Sequence, residues 1–406
     1  MKINKKNILF GFLLFCINFV IISQLFDYYS AKNYVYQFVF VESVADNRLD
    51  INLDEIHKPD KTKVKSILLL TNYFGKRGWE LPRVTNGYEY FTTSENCEFA
   101  NCVITSNISY YDDISKYDAV VFHVTHAYRN LISHPIPRSY DQVYVAANME
   151  SPVNTDNPLR SLEYFFNWTM TYRMDSDVLW NYGDIVDLHT NQVVAPAHNP
   201  NWREIDFKNL QDKKMIEIVK NKRKSVAWFV SDCKTQSKRE ILVKNLQQYL
   251  DIDIYGRCGT KSCPYRHQKC NNMLTKDYKF YLSFENSLCK DYVTEKLFNI
   301  LDQYVIPVVY GGADYRKFAP PHSYINANDF QSPEHLAKYL LYLTENQEEY
   351  LKYFWWKSHY KVVSKIRYCN LCKALHQSKE KKIMYADIKS WWYSNDECTN
   401  ARKIKF

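Results

Sequence analysis

The stretch "YKFYLSFENSLCKDYVTEKLFNILDQYVIPVVYGG", residues 278–312, decides the fold. Its first part, "KFYLSFEN" (279–286), is a short apolar run with a polar exit, the pattern of a buried strand. The spacing predicts a helix over "YVTEKLFNILDQY" (292–304) and a second strand over "VIPVVYGG" (305–312). Strand, helix and strand with short links make the repeating unit of a doubly wound parallel sheet. Ligands of such sheets bind at the carboxyl ends of the strands, and anions sit at helix N-termini. Glu295 and Lys296 fall in the first helical turn. A lysine at the positive end of a helix is poor helix electrostatics unless an anionic group lies in front of it. A carboxylate beside it can accept hydrogen bonds from ribose or sugar hydroxyls. A solvated Glu-Lys pair on a surface helix is the competing reading.

The same alternation extends outward. "KSVAWFVSD" (224–232) and "DIDIYG" (251–256) read as strands, and "SKREILVKNLQQYL" (237–250) as an amphipathic helix with a capping box from Ser237 to Glu240. A long helix is expected over 332–356. Upstream, "VKSILLLTNY" (64–73), "KYDAVVFHVTH" (116–126) and "DQVYVAANME" (141–150) are further buried-type strands. A charged stretch around 205–222 separates the two blocks. The expected organisation is α/β, with one Rossmann-like domain over 63–215, a second over 216–365, a C-terminal segment over 366–406, and a cleft between the domains.

The N-terminus indicates the compartment. Lys2, Lys5 and Lys6 precede an apolar run from Ile8 to Phe26. At 1.5 Å per residue it reaches about 28 Å, enough to span a bilayer. Positive charge before the run predicts a cytosolic tail (1–7), a transmembrane signal-anchor (8–26) and a stem (27–62) leading to a large lumenal part. A cleaved signal peptide is the rival, but the run is longer than a usual signal core and no small-x-small site follows closely. Two sequons, at Asn107 and Asn167, agree with that topology. Of the 11 cysteines, Cys16 lies in the anchor, and the other ten form an even set suited to an oxidising lumen.

Composition excludes several classes. The 406 residues are 46% apolar and 24% charged, a globular balance, and 9 Gly with 13 Pro exclude collagen-like and low-complexity chains. The net charge, 53 − 45 = +8, favours anionic ligands without calling for nucleic acid. The 34 Tyr and 9 Trp suit sugar and base stacking as well as cores. The second domain lacks G-x-G-x-x-G, and the chain contains no G-x-x-x-x-G-K-[ST], H-E-x-x-H or G-x-S-x-G. Dinucleotide-dehydrogenase, P-loop, metalloprotease and α/β-hydrolase readings lose their main support. A sulfotransferase would need a phosphate loop after the first strand, and "TNYFGKRGWELP" (71–82) lacks the Ser/Thr ending.

The motif "FEN", a short spacer, "DYVTEK" and "IPVVYGG" closely resembles the donor-binding motif of the α1,3-fucosyltransferase family. The resemblance extends over about 95–372. "WFVSDC" followed by Lys238-Arg239 resembles the family's first donor-domain strand and phosphate-contacting basic residue. "FNWTMTYRMDSDV" (166–178) resembles its FN-T-YR-DSD segment, and "NMESP" (148–152) its acceptor-side motif with an essential carboxylate. The resemblance implies a GT-B-type fold and a Golgi type II membrane enzyme. It would transfer L-fucose from GDP-fucose, with inversion, to N-acetylglucosamine of glycoprotein glycans. Glu150 would be the general base. Arg239 and Lys296 would contact the diphosphate, and Asn286, Tyr292 and Glu295 would line the nucleotide-sugar pocket. No cofactor would be required, Mn²⁺ being at most stimulatory. The acceptor, lactosamine antenna or N-glycan core, stays open. A membrane-anchored glycan-binding protein without catalysis is the alternative.

The resemblance also implies the disulfides Cys97–Cys369 and Cys102–Cys372, leaving the group Cys258, Cys263 and Cys270 to staple its own loop. Two further patterns imitate metal sites. Asp175-x-Asp177 is an Asp-x-Asp triplet, but it lies far in sequence from the donor motifs, which favours a structural or acceptor-side role. Cys369-x-x-Cys372 with His376 has zinc-like spacing, but in an oxidising lumen disulfides are the better expectation, so no metal site is assigned. The basic loop Arg257, Lys261, Arg266, His267 and Lys269 reads as solvated.

Overall fold

Continuous apolar runs bury both faces of a strand, and helix-covered parallel sheets are where such strands fit. "AVVFH" and "VYVAAN" are buried at every position, and so is "IPVVY" in the second half of the chain. The computed structural model describes residues 64–74, 79, 91, 97, 99–125, 137–155, 162–207, 212–263, 268–363, 368–378, 384–394 and 398–399. The expected tail, anchor and stem, with Cys16, lie outside these residues, as do Arg266 and His267 of the basic loop. Among the described residues no helix is long and apolar enough to cross a membrane.

The first sheet holds β1 (Lys65–Leu69), β2 (Cys102–Thr105), β3 (Ala119–His123), β4 (Val143–Asn148), β5 (Trp168–Thr171) and β6 (Val178–Leu179), in the order β2-β1-β3-β4-β5-β6. Every pair in it is parallel. Two short strands follow, β7 (Asp184–Asp187) and β8 (Val193–Ala195). The second sheet holds β9 (Lys224–Phe229), β10 (Ile252–Tyr255), β11 (Tyr278–Phe284), β12 (Ile306–Tyr310) and β13 (Ile325–Asn326), in the order β10-β9-β11-β12-β13 and again parallel throughout. A last strand, β14 (Tyr360–Val363), joins β7 and β8 in a small antiparallel sheet. The helices are α1 (Lys213–Lys220), α2 (Arg239–Leu246), α3 (Gln268–Asp277), α4 (Glu295–Leu301), α5 (Pro333–Glu345), α6 (Gln347–Leu351), α7 (Cys369–Gln377) and α8 (Ile388–Trp392).

The chain departs from the sequence-based organisation at four places. Helix α1 runs across the 215/216 boundary, and its Met215 and Val219 enter the core of the second sheet, so the division falls before the helix. The expected helix over 332–356 breaks at Asn346 and continues as α6 and a 3-10 turn, Lys352–Ser358. The capping box is displaced by two residues. Lys238 at φ 57° precedes α2, and Glu240 reaches back to Thr235, accepting from its N–H at 3.4 Å and its hydroxyl at 2.9 Å. Ser237 instead donates its hydroxyl to the Glu285 carbonyl at 2.7 Å. Finally, the C-terminal segment returns to the first sheet. Leu371, Cys372 and Leu375 pack with Ile67, Val121 and Met149 on one face, and Ile388 and Trp392 pack with Val120, Phe122 and Tyr144 on the other.

All ten described cysteines are paired. Cys97–Cys369 and Cys102–Cys372 are the pairs that the resemblance implied. Cys263–Cys270 staples its own loop, but Cys258 joins Cys233 rather than its loop neighbours, and Cys289 joins Cys398.

Candidate active site

The two parallel sheets bring their carboxyl ends together, and the residues just past β4 and β11 meet there. Glu150 follows β4 by two positions. Its backbone N–H donates to the Asn148 side-chain oxygen at 3.0 Å, which fixes the turn. Its carboxylate Oε1 accepts from the Ser151 N–H at 2.9 Å and from the Tyr292 hydroxyl at 2.7 Å. Tyr292 belongs to the loop between β11 and α4, so this bond crosses from one sheet's loop to the other's. Ser151 and Ser287 hydroxyls, 2.8 Å apart and buried, make a second crossing, and Asn154 donates to Ser287 at 3.1 Å. Asn286 accepts from the Ser287 hydroxyl at 3.0 Å. Burial, then the neighbouring Tyr182 and Glu150, lift the Tyr292 hydroxyl well above its ordinary pKa, so it stays protonated and donates.

Helix α4 supplies the cation. Thr294 is its N-cap, accepting from the Lys296 N–H at 3.4 Å. The Lys296 ammonium lies 3.2 Å from a Glu285 oxygen, 3.2 Å from a Glu295 oxygen and 2.8 Å from the Thr294 hydroxyl. Glu285 is only 1% exposed, and it accepts from the Thr294 N–H at 2.9 Å and hydroxyl at 3.0 Å. Burial works against the Lys296 charge, yet the carboxylates of Glu285 and Glu295 outweigh it and hold the ammonium above its ordinary pKa. Burial raises Glu285 above the usual carboxylate value, with Lys296 opposing. Burial pushes Glu295 the same way, but there Lys296 prevails and the pKa is lowered. The solvated-pair reading therefore gives way to a fixed ammonium at a helix N-terminus.

Arg239 lies deeper. Its guanidinium donates to the carbonyls of Phe284 at 2.6 Å and Asp232 at 3.3 Å, and it stands 5.7 Å from the Trp228 ring. Its Nε has no partner among the described residues. Burial lowers its pKa, with Glu285 opposing, and an arginine keeps its charge regardless. Two glycines follow β12 in close quarters, and the second lets the loop between β11 and α4 lie against it. A Cβ on Gly311 would meet the Tyr315 hydroxyl at 2.4 Å, and one on Gly312 would meet the Leu288 carbonyl carbon at 2.5 Å.

The structure thus joins Glu150 to Tyr292 and Asn286 to Ser287 where the two sheets' loops meet, sets Lys296 beside Glu285 and Glu295, and buries Arg239 against the end of β11. Sequence reasoning missed Glu285, Thr294 and the Ser151–Ser287 contact. A glutamate directly after a largely buried strand of mostly aromatic and apolar residues was the available signal for Glu285. The lookalike sites are otherwise engaged. Asp175 holds the buried Arg173 through two bonds, 2.9 Å to Nε and 2.7 Å to NH2. Asp177 accepts from the Thr169 N–H at 2.7 Å and the Tyr385 hydroxyl at 2.8 Å. Cys102, Cys372 and His376 place ligand-type atoms within 4.8 Å of one another, but both sulfurs are in a disulfide and His376 lies 2.9 Å from the Asn101 carbonyl. Arg257 and Lys261 of the basic loop bind the Ser231 carbonyl and Asp253.

The two sequons separate. Asn107 is exposed, its side chain accepting from Ser109 N–H at 3.1 Å. Asn167 is buried, 3% exposed, and its oxygen accepts from the Tyr144 N–H at 2.9 Å and from Arg138.

The chain is similar to known proteins over most of its length. Residues 219–391 match the family described as glycosyltransferase family 10 (fucosyltransferase) C-term, and residues 62–183 match fucosyltransferase, N-terminal. The chain is 44% identical over 333 residues to alpha-(1,3)-fucosyltransferase C of Drosophila melanogaster, covering 82% of this chain and 78% of that protein. It is 35% identical over 354 residues to glycoprotein 3-alpha-L-fucosyltransferase A of the same organism, covering 86% of this chain and 64% of the relative. A crystal structure of an alpha1,3-fucosyltransferase with GDP-fucose aligns over 91% of this chain and 93% of its own, at 16% identity and a TM-score of 0.44.

Proposed function

Because the chain belongs to glycosyltransferase family 10, the fucosyltransferases, we propose that it transfers L-fucose from GDP-fucose, in α1,3 linkage and with inversion, to N-acetylglucosamine of glycoprotein glycans. The observation that carries the reading is the 2.7 Å bond from Tyr292 to Glu150, which brings the acidic group of the first sheet against the donor-side loop of the second. The two tandem parallel sheets support a GT-B arrangement.

A sugar hydroxyl is a weak nucleophile, so a base within hydrogen-bond reach must take its proton as the new bond forms. Glu150 takes that proton while the acceptor oxygen attacks the anomeric carbon from the face opposite GDP. The bond from the anomeric carbon to the phosphate oxygen breaks, and its electron pair leaves on GDP. Charge grows on the diphosphate through an oxocarbenium-like transition state. The Lys296 ammonium, already fixed by Glu285 and Glu295, and the Arg239 guanidinium meet that charge without reorganising. Asn286 and Tyr292 provide amide and hydroxyl contacts to the nucleotide-sugar, and the Glu295 carboxylate accepts from its hydroxyls.

Residues 8–26 serve as a single-pass type II anchor in the Golgi membrane. The pairing of all ten described cysteines supports an oxidising lumen for the catalytic part. Exposed Asn107 is the acceptor for an N-linked glycan.

The test is incubation of the purified protein with GDP-fucose and a panel of glycans ending in or containing N-acetylglucosamine, followed by linkage mapping. Fucose in α1,3 linkage is expected, and hydrolysis without transfer would sink the reading. Glu150→Ala should lose transfer by about 10²–10⁴-fold while GDP still binds. Retained turnover would remove Glu150 from the role of base. Activity should survive chelation; complete loss restored only by Mn²⁺ would return Asp175 and Asp177 to a metal role.

A further inference from the structure

The loop between β11 and α4 is held by contacts that catalysis does not require. Below it, Gly312 lies so close to Leu288 that a Cβ would stand 2.6 Å from the Leu288 carbonyl oxygen and 2.7 Å from the Cys289 nitrogen. At its side, the Gln236 side-chain oxygen accepts from the Leu288 N–H at 2.9 Å. At its other edge, the Thr399 N–H donates to the Leu288 carbonyl at 2.7 Å, and the Gln236 amide donates to the Thr399 carbonyl at 2.8 Å. Gln236, Leu288 and Thr399 thus close a ring of three hydrogen bonds. One residue away, Cys289 and Cys398 pair as a bridge and are joined by a disulfide. Cys289 is fully buried and packs in the same cluster as Tyr292, and its carbonyl accepts from the Tyr292 N–H at 3.3 Å. Gln236 lies on the loop that leads to Arg239, which has a disulfide of its own, Cys233–Cys258.

We propose that Gln236, Cys398 and Thr399 form a clamp in which the end of the chain fixes the Leu288–Tyr292 backbone and thereby sets donor affinity. The inference rests on the reading that this loop receives GDP-fucose. A loop already ordered in the free protein loses less conformational entropy when the donor binds, so the clamp favours binding without touching the ligand. Gln236, Cys289, Cys398 and Thr399 are positioning residues, acting through Asn286 and Tyr292.

Two variants test it in the full chain, Cys289→Ala/Cys398→Ala and Gln236→Ala. GDP affinity is measured by calorimetry, and the two KM values and kcat by transfer assay. Each variant should raise the GDP-fucose KM and the GDP Kd together by about tenfold, equivalent to ~1.4 kcal/mol. The acceptor KM should rise less than the donor KM, because Glu150 is also held on its own side of the Tyr292 bond, by Asn148 and Ser151. Unchanged donor KM and GDP Kd in both variants would overturn the clamp, and so would an equal rise in both KM values. If the double variant fails to fold, Gln236→Ala decides alone. Calorimetry with GDP needs no turnover, so a parent protein that binds GDP without transferring fucose defeats the catalytic reading while the clamp is still judged on Kd.

Discussion

Lys296 and Glu285 depend on each other, and the dependence has a sign that titration can read. The ammonium answers a carboxylate that burial has already raised above its ordinary value of 4.5. In Lys296→Ala that carboxylate loses its counter-charge and its pKa rises further. A raised carboxylate favours folding when protonated, so its contribution is complete below the unfolded value and is lost as pH rises through the folded one. Lys296→Ala should therefore be close to the parent in stability near pH 4 and fall behind as pH increases, as followed by thermal melting across pH. At neutral pH it should also raise the GDP-fucose KM by at least about tenfold, since charged hydrogen bonds are the stronger class. A donor KM equal to the parent's would mean that Lys296 serves only Glu285. Lys296→Arg should keep the melting profile and recover part of the KM, because the charge remains while the geometry changes.

At the scale of elements, closeness is what the "GG" ending of β12 supplies. Gly312→Ala sets a methyl group against the backbone of Leu288, where no side chain can swing aside. Overpacking of this kind costs about 1–3 kcal/mol, readable by denaturant unfolding, and the donor KM should rise with it. The hairpin of β7 and β8 carries a different dependence. Asp187 accepts from the Thr190 N–H at 2.9 Å, the Arg203 NH2 at 2.8 Å and the His189 N–H at 2.8 Å. The Thr190 N–H first, and then the Arg203 guanidinium, hold its pKa well below the ordinary 3.8. A depressed carboxylate lends stability above its unfolded pKa and loses it as pH falls through the folded one. Asp187→Asn should lower the melting temperature at pH 7, with the gap to the parent closing below about pH 4. Such local features were only partly legible in the sequence. Apolar runs announced β1, β3, β4, β9, β10, β11 and β12 because buried parallel strands need no partner pattern to be recognised. The sheet of β14, β7 and β8 was not, since its strands are only three or four residues long and β14 pairs with β7 from far along the chain. Glu150, Asn286, Tyr292, Glu295 and Lys296 were legible from motif resemblance. Glu285 and the tail clamp were not, because their meaning lies in who stands beside them rather than in spacing along the chain.

Across the whole molecule, the first sheet is closed by a helix that arrives some 270 residues after β2, and two disulfides hold it there. Cys97–Cys369 spans 272 positions and Cys102–Cys372 spans 270. In the chain-entropy account, the first such bond formed restricts the unfolded chain by about 5–6 kcal/mol. The second then closes only the small ring made of residues 97–102 and 369–372, about ten residues, for roughly 3 kcal/mol. The two are therefore strongly non-additive. Cys97→Ala/Cys369→Ala should cost only about 3 kcal/mol, because Cys102–Cys372 still ties the same ends together. Cys102→Ala/Cys372→Ala should cost a similar entropy plus the loss of two buried sulfurs from the core that holds Ile67 and Leu371. Removing both pairs should cost roughly 8 kcal/mol of chain entropy with the same packing loss added, about as much as the whole stability of an ordinary domain, and should release α7 from β1. Equilibrium unfolding of the three variants in denaturant measures each cost. If the quadruple variant lost no more than the sum of the two double variants, the bonds would be acting separately on the native core rather than together on the unfolded chain.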